Sequence, residues 1–318
     1  MSNILIIKLG ALGDVIMSTS LINQIRKHHA NDSLWLITSP AYADIFEQWK
    51  EMKVVTFDRK HLVDNLKIIF WTRKMKFDRV YDLQSNDRTS IICALSGINN
   101  IIGNHPRYPY NTHPQDKYAG QCHIYDRMLE VLASAGINTV HAPPQLMVSE
   151  QGKTRVFEWL NNHGLQHGKF VILHAGASSK HPEKCWPYFE ELAKTISQSG
   201  YKIIWAGSDT DAEKNKKLAE KTGIDASGVF SITELAELGK HARFAVTNDS
   251  GPMHILSASG IPVFAFFGPT NWRRNHAIGQ AENVICVQPE TVKEFIPGSL
   301  DKITIDQALA NIRSKGLI

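Results

Sequence analysis

Short β-branched and aliphatic runs alternate with helical patterns along almost the whole chain, and the alternation occurs twice. The first series has strands at 4–9, 34–38, 54–57, 79–83 and 100–103, with helical stretches at about 14–29, 40–50, 61–75, 86–96 and 120–136. The second has strands at 170–174, 202–206, 244–247, 263–267 and 284–287, with helices near 187–199, 210–222, 232–241 and 251–259. Strands joined through helices pair in parallel, and a parallel sheet is covered on both faces. The pattern therefore predicts an α/β protein with two parallel sheets. Between the two series the pattern lapses into Asn138-Thr139-Val140-His141-Ala142-Pro143-Pro144, which reads as a linker. This places one domain at 1–150 and a second at 151–318, the second opening with a helix near 151–163. At 318 residues the chain is long enough for two cores. A final helix at about 305–315 is expected to pack back on the first domain. Ligands of such sheets sit beyond the carboxyl ends of the strands, so the site is expected in a cleft between the domains. Residues 104–117 are rich in Pro, His, Asn and Tyr without periodicity, a connection long enough to be either a functional or a mobile loop.

Composition excludes several classes. A formal charge of +4 is too mild for a protein that grips nucleic acid electrostatically, and its basic residues are diluted by acids. The cysteines at 93, 122, 185 and 286 lack Cys-x-x-Cys spacing, which argues against a zinc site and suits a reducing cytosol. The apolar run Ile4-Leu5-Ile6-Ile7 is too short for a signal-peptide core, and no run approaches membrane-spanning length. A cytoplasmic protein is expected, one able to touch a membrane surface.

The stretch with most chemical content is Thr247-Asn248-Asp249-Ser250-Gly251-Pro252-Met253-His254, between an apolar strand and a helical segment. A helix start offers unpaired N–H groups and the positive end of the dipole, a place that suits phosphate. Small residues allow close approach, Asp249 can meet a ligand hydroxyl, and His254 lies one turn into the helix on the face of Ser250. The plainer reading is a capped helix. A second phosphate cradle is legible in the loop with Ser178 and Ser179, followed by Lys184-Cys185-Trp186-Pro187. Lys184 is suited to neutralise a diphosphate, and Trp186-Pro187 to start a helix.

Near the amino terminus, Lys8-Leu9-Gly10-Ala11-Leu12-Gly13-Asp14 follows the first strand. Its glycines do not make the Gly-x-Gly-x-x-Gly fingerprint of a dinucleotide site. Asp14 reads either as a helix-start carboxylate or as a base for an acceptor hydroxyl. Asp209-x-Asp211, with Glu213 after it, invites a metal reading, but acids at a helix start are expected as caps, with one of them free to hold a ribose. Between Phe57 and Arg79 the chain carries Arg59, Lys60, Lys67, Arg73, Lys74 and Lys76, interleaved with Phe70 and Trp71. That is a solvated helix face or a cationic rim for an acidic acceptor or anionic lipid, which Arg88 and Arg107 extend. Phe230, Ile232 and Leu235 stand where an adenine contact or ordinary core would serve.

Taken together, these pieces resemble glycosyltransferase family 9, typified by the ADP-heptose:lipopolysaccharide heptosyltransferases. The likeness rests on Ile4-Leu5-Ile6-Ile7-Lys8 with Gly13-Asp14-Val15, on Lys184-x-Trp186-Pro187, on Gly207-Ser208, and on Asn248 through His254 followed by Phe267-Gly268-Pro269-Thr270. It implies the GT-B fold, two Rossmann-like domains with parallel sheets facing across a cleft. It also implies inverting transfer of a heptose from ADP-heptose to a lipopolysaccharide core acceptor (Kdo or heptose), with no metal and no cofactor. By position, Asp14 is similar to the family's catalytic base and Lys184 to its diphosphate lysine, with Ser178 and Ser179 beside it. Asp249, Ser250, Gly251 and His254 correspond to its donor loop. The ribose acid falls among Asp209, Asp211 and Glu213. Gly10 and Ala11 stand where the first core heptosyltransferases carry serines, and Arg59 and Lys60 are loosely similar to the basic acceptor segment. The implied partners are the nucleotide-sugar, the inner-core acceptor and the inner-membrane surface. The alternatives are another nucleotide-linked sugar or acceptor, a nucleotide-sugar epimerase, and a non-catalytic nucleotide-sugar-binding module.

Overall fold

Among the described residues every pairing of named strands is parallel, as strands linked through helices require. The structure is a computed structural model that describes residues 1–58, 62–116, 122–288, 292 and 294–318. It divides into two units, Met1–Met147 and Val148–Ile318.

The first unit runs β1 (Asn3–Ile7), α1 (Leu12–His28), β2 (Ser33–Thr38), β3 (Met52–Thr56), α2 (Leu62–Met75), β4 (Arg79–Asp82), α3 (Asp87–Leu95), β5 (Asn100–Ile102) and α4 (Ile124–Ser134). Its sheet has the order β3-β2-β1-β4-β5, so β1 lies at the centre. That position explains its sequence: Ile4 through Ile7 are buried whichever way they point. The helix expected over 40–50 is only a 3-10 run, Pro40–Phe46, before the chain enters β3. Residues 104–116 of the aperiodic loop fold onto the sheet. Tyr110 is buried against Gly103, where a Cβ would meet the Tyr110 ring at 2.2 Å. The stretch read as a linker carries no helix or strand over 137–149 and is tied to the first unit. Gln24 exchanges hydrogen bonds with the Val140 main chain, Tyr125 does so with Ala142, and the Gln145 N–H donates to Thr19.

The second unit runs α5 (Glu150–Asn162), β6 (Phe170–His174), α6 (Phe189–Gln198), β7 (Lys202–Gly207), α7 (Ala212–Lys221), β8 (Ile224–Ser227), α8 (Ile232–Gly239), β9 (Ala245–Asn248), α9 (Gly251–Ser257), β10 (Val263–Phe267), α10 (Trp272–Asn275), β11 (Val284–Cys286) and α11 (Ile305–Ser314). The sheet order is β11-β10-β9-β6-β7-β8. Strand β8 was not expected, since Ile224-Asp225-Ala226-Ser227 is short and half polar. It exists because an edge position beside β7 asks little of its outer face. The last helix, α11, is built into the second unit's own core. Ala308, Leu309 and Ile312 join Leu192, Ile196 and Ile285 in one apolar cluster, and Trp186 Nε1 donates to the carbonyl of Ile303 just ahead of the helix. No helix among the described residues is long and apolar enough to cross a membrane.

Two histidines sit inside these packed layers. Burial holds the pKa of His29 down, against a hydrogen bond to Asp32, and its other ring nitrogen meets Tyr81 at 2.9 Å. Burial likewise holds His174 down, against the bond from its Nδ1 to the Ala206 carbonyl. Below their ordinary value of about 6.5 the unfolded chain takes up protons that the fold refuses. Stability from these groups is therefore present above that value and lost as the pH falls through it. The urea midpoint is expected to drop between pH 7.5 and 5.5 while the two imidazole C2 protons titrate at a lower pH than an ordinary histidine in the NMR spectrum of the folded protein. Ordinary titration of both rings in the folded protein would refute the account.

Candidate active site

Both polar clusters of interest lie at carboxyl edges of the sheets, where the loops leaving adjacent strands converge. In the second unit three such loops meet. Lys184 comes from the loop after β6, Asp249 follows β9, and Thr270 follows β10. Lys184 Nζ lies 2.7 Å from Asp249 Oδ2, and the Thr270 hydroxyl donates to the same oxygen at 2.6 Å. The carboxylate is only 10% exposed and the lysine 20%, so the pair is screened far less than a surface ion pair. Beneath it, Asn248 is fully buried and works as a splice. Its Oδ1 accepts from the Trp186 N–H at 3.0 Å, and its Nδ2 donates to the Gly176 carbonyl at 2.9 Å. Trp186 in turn stacks on Phe266 with centroids 4.0 Å apart. This stacking holds the Lys184 loop against β10. A cavity of about 470 Å³ opens alongside, with Cys185 and Pro269, the chain neighbours of Lys184 and Thr270, in its wall.

Ser250 is the N-cap of α9 and Gly251 its first residue, but Ser250 bonds back to the Asn248 carbonyl and does not cap the helix with its side chain. The leading N–H groups of α9 are thus left without that cap. His254 is buried within α9. Asp211 closes a capping box with Ser208 and presses over Gly176, where a Cβ would come within 2.0 Å of Asp211 Oδ1. Only glycine lets these two loops approach so closely. Glu213 is paired with Lys217 one helical turn on, and that pairing lowers its pKa. The two acids therefore part company: Asp211 belongs to the loop edge, and Glu213 to the solvated face of α7. Ser178 and Ser179 are exposed in the β6 loop. Phe230 packs edge-on against Trp159, and Leu235 is buried core.

In the first unit, Asp14 stands in the first turn of α1, 28% exposed, with its Oδ2 3.9 Å from Lys8 Nζ. Lys8 was not among the residues singled out for function, although a lysine closing an apolar strand was the available signal. It is buried, and its ammonium donates to the Leu83 carbonyl at 3.2 Å. Burial lowers its pKa, while Asp14 and Asp82 raise it. Burial raises the pKa of Asp82, against hydrogen bonds from the Tyr110 hydroxyl at 2.6 Å and the Ser85 N–H at 2.8 Å. Gln84 Oε1 accepts from the N–H groups of Leu9 and Gly10. At Gly10 φ is 149°, which residues with a side chain avoid. Ala11 is the exposed N-cap position of α1. Arg88 is exposed on α3, Arg107 pairs with Asp87 at 3.3 Å, and Arg59 and Lys60 lie outside the described residues.

The family model described as Glycosyltransferase family 9 (heptosyltransferase) matches residues 70–302. Lipopolysaccharide heptosyltransferase 2 of Escherichia coli (strain K12) is 24% identical over 294 residues, covering 84% of this chain and 83% of that protein. A solved glycosyl transferase of family 9 from Veillonella parvula superposes with a TM-score of 0.84 at 23% identity, covering 98% of this chain and 96% of that one. The E. coli ADP-heptose lps heptosyltransferase II superposes with a TM-score of 0.76 at 21% identity, covering 98% of each chain. At these identities the superpositions establish the fold, and both parallel sheets belong to it.

The Asn248 splice generates a stability prediction. Asn248→Ala strands a buried donor on Trp186 and a buried acceptor on Gly176, each costing about 1–3 kcal/mol. Urea unfolding is expected to show a loss of roughly 2–6 kcal/mol on that basis. A loss below about 1 kcal/mol would mean that neither group depends on this side chain.

Proposed function

The chain belongs to glycosyltransferase family 9, and from that premise we propose that it moves a heptose from ADP-heptose, with inversion, to a lipopolysaccharide core acceptor, a Kdo or a heptose. That it is a glycosyltransferase follows from the family; donor and acceptor are our reading. The observation that carries it is the cluster of Lys184, Asp249 and Thr270 at three adjacent strand ends, beside the uncapped start of α9. One cation and a set of N–H groups at a carboxyl edge suit a nucleoside diphosphate.

In this reading the second unit grips the donor. The diphosphate takes up Lys184, whose ammonium is held ready by Asp249, and Asp249 is left to hydrogen-bond the sugar hydroxyls. Ser250, Gly251 and the Ser178–Ser179 loop line the phosphates, and Asp211 is placed to meet the ribose. His254 serves as a buried support of the loop. In the first unit Asp14 takes the proton from an acceptor hydroxyl. That oxygen attacks the anomeric carbon opposite the nucleotide, the bond to the β-phosphate oxygen breaks, and ADP leaves with the electron pair. Charge growing on the β-phosphate is met by Lys184 and main-chain N–H groups already in position. The proposal includes no metal, because the lysine supplies the charge and Asp211 is engaged in its capping box. Arg59 and Lys60 are assigned to the acidic acceptor, with Gly10 and Ala11 beside the attacking hydroxyl, and Arg88 and Arg107 extend that cationic rim toward the surface that carries the acceptor. The reading also places the protein at the cytoplasmic face of the inner membrane, as a peripheral protein.

Asp14→Ala is expected to keep donor affinity and to lose roughly two to four decades in kcat. Lys184→Met is expected to weaken ADP binding by roughly tenfold to a hundredfold, the worth of a charge-assisted hydrogen bond. Purified protein would be assayed with ADP-, UDP- and GDP-sugars, with and without a delipidated core acceptor, following release of free nucleoside diphosphate. Near-normal turnover of Asp14→Ala removes the base assignment. Preference for another nucleotide replaces the donor, and donor turnover without acceptor indicates epimerisation instead.

A further inference from the structure

Helices α2 and α3 present apolar side chains to solvent in a pattern their own packing does not explain. Leu66 and Phe70, four residues apart on α2, are both exposed, Phe70 to 67%. Ile91 and Leu95, four apart on α3, are exposed as well, and Tyr108 in the following loop is 80% exposed. A spacing of four puts each pair on one helix face. Two hydrogen bonds join the three segments into one surface. Arg73 Nε of α2 donates to the Leu95 carbonyl at 2.6 Å, and the Tyr108 hydroxyl donates to the Ala94 carbonyl at 3.4 Å. Single exposed apolar residues are ordinary, but five in one connected patch mark an interaction surface.

Charge identifies the occupant. The two helices carry Lys67, Arg73, Lys74 and Arg88 against Asp64 and Asp87, and the loop adds Arg107. The ion pairs Lys67–Asp64 and Arg107–Asp87 use both carboxylates, which leaves Arg73, Lys74 and Arg88 in excess among the described residues of this face. A second copy docked symmetrically would set these cations against themselves. A soluble anionic glycan would satisfy the cations but would give Leu66, Phe70 and Ile91 nothing to enter. A bilayer with anionic headgroups answers both halves of the pattern, taking apolar and aromatic side chains into the acyl boundary while Lys and Arg stay at headgroup level.

We propose that the exposed face of α2 and α3, with the turn at Arg107 and Tyr108, docks the protein on an anionic lipid bilayer. This deepens the proposed function, since an acceptor carried on lipid is presented at that surface. The test uses the full chain sedimented with vesicles of phosphatidylcholine alone or mixed with phosphatidylglycerol, without donor or acceptor, so its result is separate from the sugar-transfer reading. Binding to the mixed vesicles, weakened by salt and absent on phosphatidylcholine alone, is expected. Lys74→Gln should weaken it roughly fivefold, and the double variant Phe70→Ser with Ile91→Ser roughly tenfold or more. The double variant should turn over a delipidated acceptor at the normal rate. Absence of binding to the mixed vesicles, or equal binding by the variants, overturns the proposal. So does a change from dimer to monomer on sedimentation of the double variant with vesicle binding intact, which would make the face a subunit interface.

Discussion

Parallel pairing is the constraint from which the rest of this structure follows. A strand that pairs in parallel must send the chain back across the sheet before the next one begins, so every loop leaving a strand emerges at the same edge. With β9 between β6 and β10, the loops bearing Lys184, Asp249 and Thr270 come together although the residues are far apart in sequence. In the first unit β1 lies between β2 and β4, and the same rule brings Lys8, Asp14 and Gln84 to one edge, where Ser39 also donates to the Leu9 carbonyl. In both clusters the sheet order is what brings the elements together.

The two edges handle charge differently, and the difference suits their proposed roles. Lys8 is buried, so its ammonium is expensive and is compensated by the field of Asp14 and Asp82 and by the Leu83 carbonyl. Such a cation is a fixed part of the fold and holds Asp14 at the mouth of the sheet. Lys184 keeps a fifth of its side chain in solvent and is tethered to one carboxylate oxygen. A pair of that kind can exchange Asp249 for an incoming phosphate while Thr270 still donates to the carboxylate. In the proposed function the first edge positions a group, and the second trades one partner for another.

The architecture was legible because its signals are local and repeated. The central strands 4–9, 170–174 and 263–267 are buried on both faces, so their residues are apolar without alternation and announce themselves. Edge strand β8, with one undemanding face, does not. The helix at the carboxyl end was visible in periodicity but not its destination, since an amphipathic stripe records that a face is buried and not against what. Lys8 was passed over for a related reason: in sequence it closes an apolar run, and only the position of Leu83 and Asp82 beside it shows a cation committed to the interior. Glu213 and Asp211 look alike two residues apart, yet one pairs with Lys217 along its helix while the other closes over Gly176.

From the amino-acid order alone came the two α/β halves, the strand ends where chemistry would gather, and the residue types suited to a diphosphate and a base. These are properties of periodicity and of short contiguous motifs, set by which faces water must leave. The tertiary structure alone decided which side chains meet: that Asn248 ties Trp186 to Gly176, that Thr270 shares an oxygen of Asp249 with Lys184, and that α2 and α3 leave one apolar, cationic face uncovered. Such contacts join residues that are distant in the chain, and their partners are chosen by sheet order and packing, quantities that no local window of sequence contains.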